Sequence, residues 1–181
     1  ASRGVISFGL FFAALVGLSL VIASACVWNN YMDRAMDEKM ARTRNRALVQ
    51  GLIPLQNALC FGLALGFLGI GILALFTNLL TVLMAACGFF VYVVLYGLSK
   101  YTTSLGTIIG SVAGAIPPVV GYTAVSNCID LGAVLLFFIV VFWQMPHFWT
   151  LALRYQKDYQ QGGFPTLPVI HGLNTDRKSV V

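Results

Sequence analysis

VISFGLFFAALVGLSLVIASACVW, residues 5–28, carries no charge and runs straight into NNYMDRAMDEKMARTRNR, residues 29–46. The second stretch holds three acids (Asp33, Asp37, Glu38) and five bases (Arg34, Lys39, Arg42, Arg44, Arg46). The first is long enough to cross a hydrocarbon core, which needs about 20 apolar residues. A helix carried through the junction sets Asn30, Asp33 and Asp37 at i, i+3 and i+7, on one face. Two carboxylates and an amide on one face suit a hard divalent cation such as Mg²⁺, which keeps waters and shares its shell with substrate phosphates. The bases beside them would clamp a polyanion. Acids and bases packed together at a bilayer surface predict a substrate with a phosphate head and a greasy tail.

The rest of the chain agrees with a membrane setting. Apolar residues make up 59% and charged residues 9%, whereas about a quarter of a soluble domain is charged. The chain is therefore an all-α integral membrane protein, a helix bundle with spans near 5–28, 54–76, 79–99, 105–125 and 131–153. Residues 29–53, 100–104 and 154–181 then share one side of the bilayer, and ten of the 11 Lys and Arg residues fall there, Arg3 excepted. That asymmetry marks the basic side as cytoplasmic or matrix-like. A formal charge of +5 distributed in this way argues for the lipid bilayer as partner and against nucleic acid. The four cysteines, Cys26, Cys60, Cys87 and Cys128, have no C-x-x-C spacing and read as small hydrophobes. Residues 5–28 lack the basic flank and cleavage-like site of a signal peptide.

Within the spans, Gly106, Gly110 and Gly114 recur every fourth residue, as do Gly62 and Gly66, a spacing that lets helix backbones approach closely in lipid. Pro117-Pro118 predicts a break or kink in the fourth span. In the fifth, Trp143, Gln144, Pro146, His147 and Trp149 interrupt an apolar run. His147 is a functional candidate because an ionisable side chain is expensive inside a membrane. On a continuous helix His147, Arg154 and Asp158 share one face, with His147 roughly 16 Å deeper than Asp158 at 1.5 Å per residue. The bland alternatives are packing for the glycines, lipid anchoring for Arg42, Arg46, Arg154 and Lys157, and salt bridges from Asp33 and Asp37 to Arg34 and Lys39.

Asn29-Asn30-Tyr31-Met32-Asp33 through Met40-Ala41-Arg42-Thr43-Arg44-Asn45-Arg46 resembles the first aspartate-rich motif of the UbiA-type intramembrane prenyltransferases, and within them the haem O synthase (protohaem IX farnesyltransferase) branch. Trp143-Gln144-Met145-Pro146-His147, Lys157-Asp158-Tyr159 and Phe164-Pro165-Thr166-Leu167-Pro168 extend the resemblance over the whole chain. It implies a bundle of nine helices, of which residues 1–181 would be helices two to six in one prenyltransferase domain, incomplete at both ends; Asn174-Thr175-Asp176 would cap the next helix. It further implies transfer of a farnesyl group from farnesyl diphosphate to a vinyl group of haem B, with water completing a hydroxyethylfarnesyl haem. Asn30, Asp33, Asp37 and Asp158 would hold Mg²⁺. Asn29, Lys39, Arg42, Arg46, Arg154 and Lys157 would bind substrate, and His147 would meet the haem as ligand or proton-handling group. The second motif of the wider family carries two acids four residues apart; here Asp158 is the first and Gly162 takes the place of the second, as in the haem branch. The implied setting is a bacterial inner membrane in preference to a mitochondrial one, with a haem A synthase as a neighbour.

Three other readings stand beside this one. A UbiA-type enzyme acting on a quinone precursor shares the acidic motif but not the Trp143-to-His147 string. A secondary transporter explains the loop bases but neither the two aspartates on one helical face nor the lack of an internal repeat. A non-catalytic haem-handling subunit would rest on His147 alone.

Overall fold

The computed structural model describes residues 7–171. Asn174, Thr175, Asp176 and Arg177, together with Arg3, lie outside the described residues. Helix α1 spans Phe8–Asp37, α2 Leu55–Phe76, α3 Leu79–Phe90, α4 Gly97–Thr102, α5 Gly106–Ser126, α6 Leu131–Arg154, α7 Gln156–Gly162 and α8 Leu167–His171, with a π-helical segment, Val91–Tyr96, joining α3 to α4. Five of the resulting rods, the third running unbroken over Leu79–Thr102, are long and apolar enough to cross a membrane. The described residues contain no strand. Phe8, Phe67, Leu75, Leu131 and Ile139 are among many large apolar side chains left exposed, as lipid-facing positions should be.

Small residues decide how closely the rods approach. A Cβ added to Gly69 would meet the Gly17 carbonyl at 2.7 Å and the Val21 amide at 2.8 Å, and one on Gly66 would meet Ser24 Oγ at 3.0 Å. So α1 and α2 lie backbone against backbone, and Ser24 Oγ donates 2.7 Å to the Gly62 carbonyl. Gly106 and Gly110 give α5 the same closeness to Lys100 and Tyr96. Asn78 caps α3 by accepting from the Thr81 amide at 2.9 Å and also donates to the Thr123 carbonyl on α5 at 2.8 Å. Val21, Leu73, Ala85, Ile116 and Val120 form the apolar centre between these rods.

Two local expectations are revised. Helix α5 is not broken at Pro117-Pro118, both of which lie inside it. The fifth span does end at Arg154: Tyr155, at φ −109° and ψ 26°, leaves helical geometry, so α7 starts in a new direction. The single continuous face through His147, Arg154 and Asp158 is therefore not formed.

Candidate active site

Helix α1 continues to Asp37, so the acidic motif is a helix end that projects past the apolar stretch into the polar layer. Asp33 and Asp37 are 7% and 2% exposed, and buried carboxylates are tolerated only when paired and hydrogen-bonded. Asp33 takes three donors. Lys100 Nζ lies 2.6 Å from Oδ1 and 2.7 Å from Oδ2, Asn29 Nδ2 donates at 3.1 Å, and the Tyr101 hydroxyl donates to Oδ1. Lys100 also donates to Asn29 Oδ1. Asp37 pairs with Arg46, and its carbonyl accepts from buried Thr43 Oγ1 at 3.0 Å. The loop after α1 thus folds back on the helix end and brings its arginines with it.

These groups line a cavity of 250 Å³ whose walls include Asn29, Asp33, Asp37, Arg42, Arg46 and Lys100. Three cations against two carboxylates leave it net positive by one. The same cavity is bounded by Tyr159 of α7 and by Phe164 and Thr166 of the loop that follows it. Phe164 stacks on Tyr101 at 5.5 Å and meets Tyr159 edge-on at 5.9 Å, which pins that loop to the third rod. Burial holds the Tyr159 phenol above its ordinary value, against the opposing pull of Arg42, so it remains a neutral hydroxyl. Gly110 and Phe148 border both this cavity and a second one, also 250 Å³, lined by apolar residues such as Leu18, Ile22, Phe89 and Ile116. Tyr92 faces the second cavity and Tyr96 the first. They stack at 5.5 Å within the π-helical segment, and Lys100 lies 5.2 Å over the Tyr96 ring; such segments recur at functional sites. The result is a charged mouth opening onto a greasy chamber.

Several expected site residues lie elsewhere. Asn30 and the exposed Lys39 do not line the mouth. Arg154, exposed, rests on the Tyr155 ring at 5.5 Å, and Lys157 is exposed on α7. Among the described residues no three His, Cys, Asp or Glu side chains gather closely enough to hold a metal. Asp158 is not among the residues that line the mouth with Asp33 and Asp37. His147 is exposed, stacked on Trp143 at 5.7 Å, and lines neither cavity; it turns to the outer face of α6. Gly162 is buried, and a Cβ there would meet Met40 Sδ and Phe164 at 3.0 Å, so an acid in that place would need both side chains to shift. Lys100 and Tyr101 were missed as site residues. Their signal is a lone lysine at the end of an apolar span, on the same side as the acidic motif, which by sequence alone reads as one more loop base.

The whole chain, residues 1–181, matches the UbiA prenyltransferase family. The chain belongs to that family. Among curated family members, it is 51% identical over 173 residues to a protoheme IX farnesyltransferase of Protochlamydia amoebophila, covering 96% of this chain and 61% of that protein. It is 47% identical over 181 residues to the protoheme IX farnesyltransferase of Edwardsiella ictaluri, covering 99% and 61%. The chain thus spans about three-fifths of the length of the curated relatives it matches. The apo structure of a UbiA homolog from Aeropyrum pernix K1 superposes with a TM-score of 0.78 at 21% identity, covering 99% of this chain and 67% of that one. A UbiA homolog from Archaeoglobus fulgidus, bound to DMAPP and Mg²⁺, gives 0.72 at 16% identity, covering 96% and 62%. At those identities the likeness is one of fold, and the UbiA helical bundle is the fold of this chain.

Proposed function

We propose that this chain is the prenyl-diphosphate-binding part of an enzyme that transfers a farnesyl group from farnesyl diphosphate to a vinyl group of haem B. The observation that carries the proposal is the cation-lined mouth that meets an apolar chamber at Gly110 and Phe148. A diphosphate ester of an isoprenoid has that same division into polyanion and hydrocarbon. The relatives' shared description as protoheme IX farnesyltransferases supports the choice of haem over a quinone precursor.

Asp33 and Asp37 offer hard oxygen donors one turn apart on the mouth wall, a donor set that fits Mg²⁺ with water and phosphate oxygens filling the rest. Bound there, Mg²⁺ would supply Lewis-acid neutralisation of the leaving diphosphate. Arg42, Arg46 and Lys100 line the same space and stabilise the charge that grows on the diphosphate as its bond to the farnesyl carbon breaks. In binding a polyanion, Lys100 and Arg46 shift part of their contact from the carboxylates to the phosphates. Asn29 orients Asp33. We assign Asn30, Lys39, Arg154, Lys157 and Asp158 to the rim, where they would meet an entering head group. The apolar walls keep bulk water from the allylic cation until the vinyl π electrons form the new carbon–carbon bond. His147, stacked on Trp143 outside the chamber, acts on the macrocycle from the outer face of α6. The setting we assign is a bacterial inner membrane with the mouth on its cytoplasmic side, and a haem A synthase as the user of the product.

Incubating the full-length protein with haem B, farnesyl diphosphate and Mg²⁺, with products read by mass, tests the proposal. Farnesylated haem is the expected product. A prenylated quinone precursor formed in its place from a mixture of acceptors would reassign the acceptor while leaving the diphosphate mouth intact.

A further inference from the structure

Gln144 is the one carboxamide in the wall of the apolar chamber, where Cys26 and Tyr92 supply the other polar side-chain atoms. Its Oε1 is buried and finds no hydrogen-bond donor among the described residues. A Cβ on Gly114 would collide with both Oε1 and Nε2 of that amide, so the glycine leaves the space the amide occupies. Gly114 lies one helical turn beyond Gly110, the residue shared by mouth and chamber. The amide therefore stands about 6 Å along α5 from the level where the diphosphate ends and the isoprenoid begins, at 1.5 Å per residue. A buried oxygen left unpaired in an apolar cavity is costly; an ordered water satisfies such a group where there is room and further polar partners, and Tyr92 and Cys26 share this wall.

We propose that Gln144 is a positioning residue that holds the water consumed in the second half of the transfer, an inference that rests on the haem-farnesylation reading above. When the vinyl π electrons bond to the farnesyl carbon and the diphosphate leaves, positive charge remains on the inner carbon of the former vinyl group. A water held by the Gln144 carboxamide adds through its oxygen to that carbon, forming the carbon–oxygen bond. The proton it sheds passes to the diphosphate in the mouth. Nothing is oxidised or reduced, and the sum is haem B, farnesyl diphosphate and water giving hydroxyethylfarnesyl haem and protonated diphosphate. Without a placed water, the same cation resolves by losing a proton to the diphosphate, which leaves an alkene in place of the alcohol.

The test uses the full-length protein in membranes with farnesyl diphosphate, haem B and Mg²⁺, and follows diphosphate release alongside product mass in ¹⁸O-labelled water. Wild type should give the labelled alcohol. Gln144→Met, which keeps the length of the side chain and removes its hydrogen bonding, should shift the alcohol-to-alkene ratio roughly tenfold toward the product lighter by one water, the effect of losing one hydrogen bond, while diphosphate release changes far less. A purely structural role would slow both products together and leave the ratio at its wild-type value, which overturns the inference. If Gln144→Met does not accumulate, Gly114→Ala decides, since it displaces the amide without removing it. The same shift in ratio upholds the proposal, and an unshifted ratio rejects it. Wild type releasing diphosphate with no farnesylated haem of either mass would instead reject the haem reading, and this inference with it.

Discussion

Asp33 and Lys100 show how far single residues decide this site. Each is buried, and each is the other's principal charge partner. Removing one partner strands the other, so Lys100→Met should destabilise the protein by about 3–5 kcal/mol. Adding Asp33→Asn to it should recover most of that loss without restoring turnover, because the mouth then lacks both the cation and the carboxylate proposed to hold Mg²⁺. Thermal unfolding in detergent and a turnover assay separate the two effects. Arg42 and Arg46 line the same cavity, whereas Arg44 does not. Replacing either of the first two with Ala should weaken farnesyl diphosphate binding roughly tenfold, as loss of a charge-assisted contact does, with Arg44→Ala close to wild type. Equal effects at all three positions would favour lipid anchoring. Gly162→Asp, which restores the acid of the wider family, should lower activity because its side chain must displace Met40 and Phe164.

Helix packing has its own signature. A side chain at Gly69 strikes backbone atoms of α1, while one at Gly71 meets nothing within 4 Å. Both substitutions to Ala raise helix propensity by about 0.5–1 kcal/mol. Gly69→Ala should nonetheless destabilise by about 1–3 kcal/mol through overpacking, and Gly71→Ala should be neutral or mildly stabilising. Opposite shifts in the unfolding midpoint are the expected result. At the other membrane face, Asp130 caps α6 by accepting from the Ala133 amide at 3.1 Å. The Tyr122 hydroxyl, with that amide, holds its carboxyl below the usual carboxylate range. A lowered folded-state value means the cap contributes fully above the ordinary carboxylate range and is lost as pH falls through the lowered value. Acid titration of stability should therefore lose this component in wild type and show none of it in Asp130→Ala.

Over the molecule as a whole, the charged mouth and the loop that carries Cys128 sit on opposite membrane faces. Cys128 is exposed between α5 and α6, whereas Arg44 belongs to the mouth loop. With the positive side cytoplasmic, a membrane-impermeant thiol reagent added outside intact cells stripped of any outer membrane should label Cys128. It should leave an introduced Arg44→Cys untouched until the membrane is broken, with the other cysteines replaced in that variant. The reverse pattern would invert the topology. Chelating Mg²⁺ should weaken farnesyl diphosphate binding in wild type and have little further effect in Asp33→Asn, if the carboxylate pair is where the ion acts.

The five spans, the basic face and the continuation of α1 through Asp33 and Asp37 were all legible in the chain, because long uncharged runs, charge asymmetry and a 3.6-residue repeat are local properties. The packing role of Gly62, Gly66 and Gly106 was legible for the same reason. Lys100 and Tyr101 were not, since their meaning lies in an ion pair and a hydrogen bond to Asp33 across 67 and 68 residues of sequence. Nor was the outward turn of His147 or the separation of Asp158: helical spacing placed both on one line, and a single non-helical residue, Tyr155, broke it. The chemistry of the acidic helix end is written in the order of its residues; which cations answer it, and where the greasy chamber begins, depends on contacts that only the packed bundle brings together.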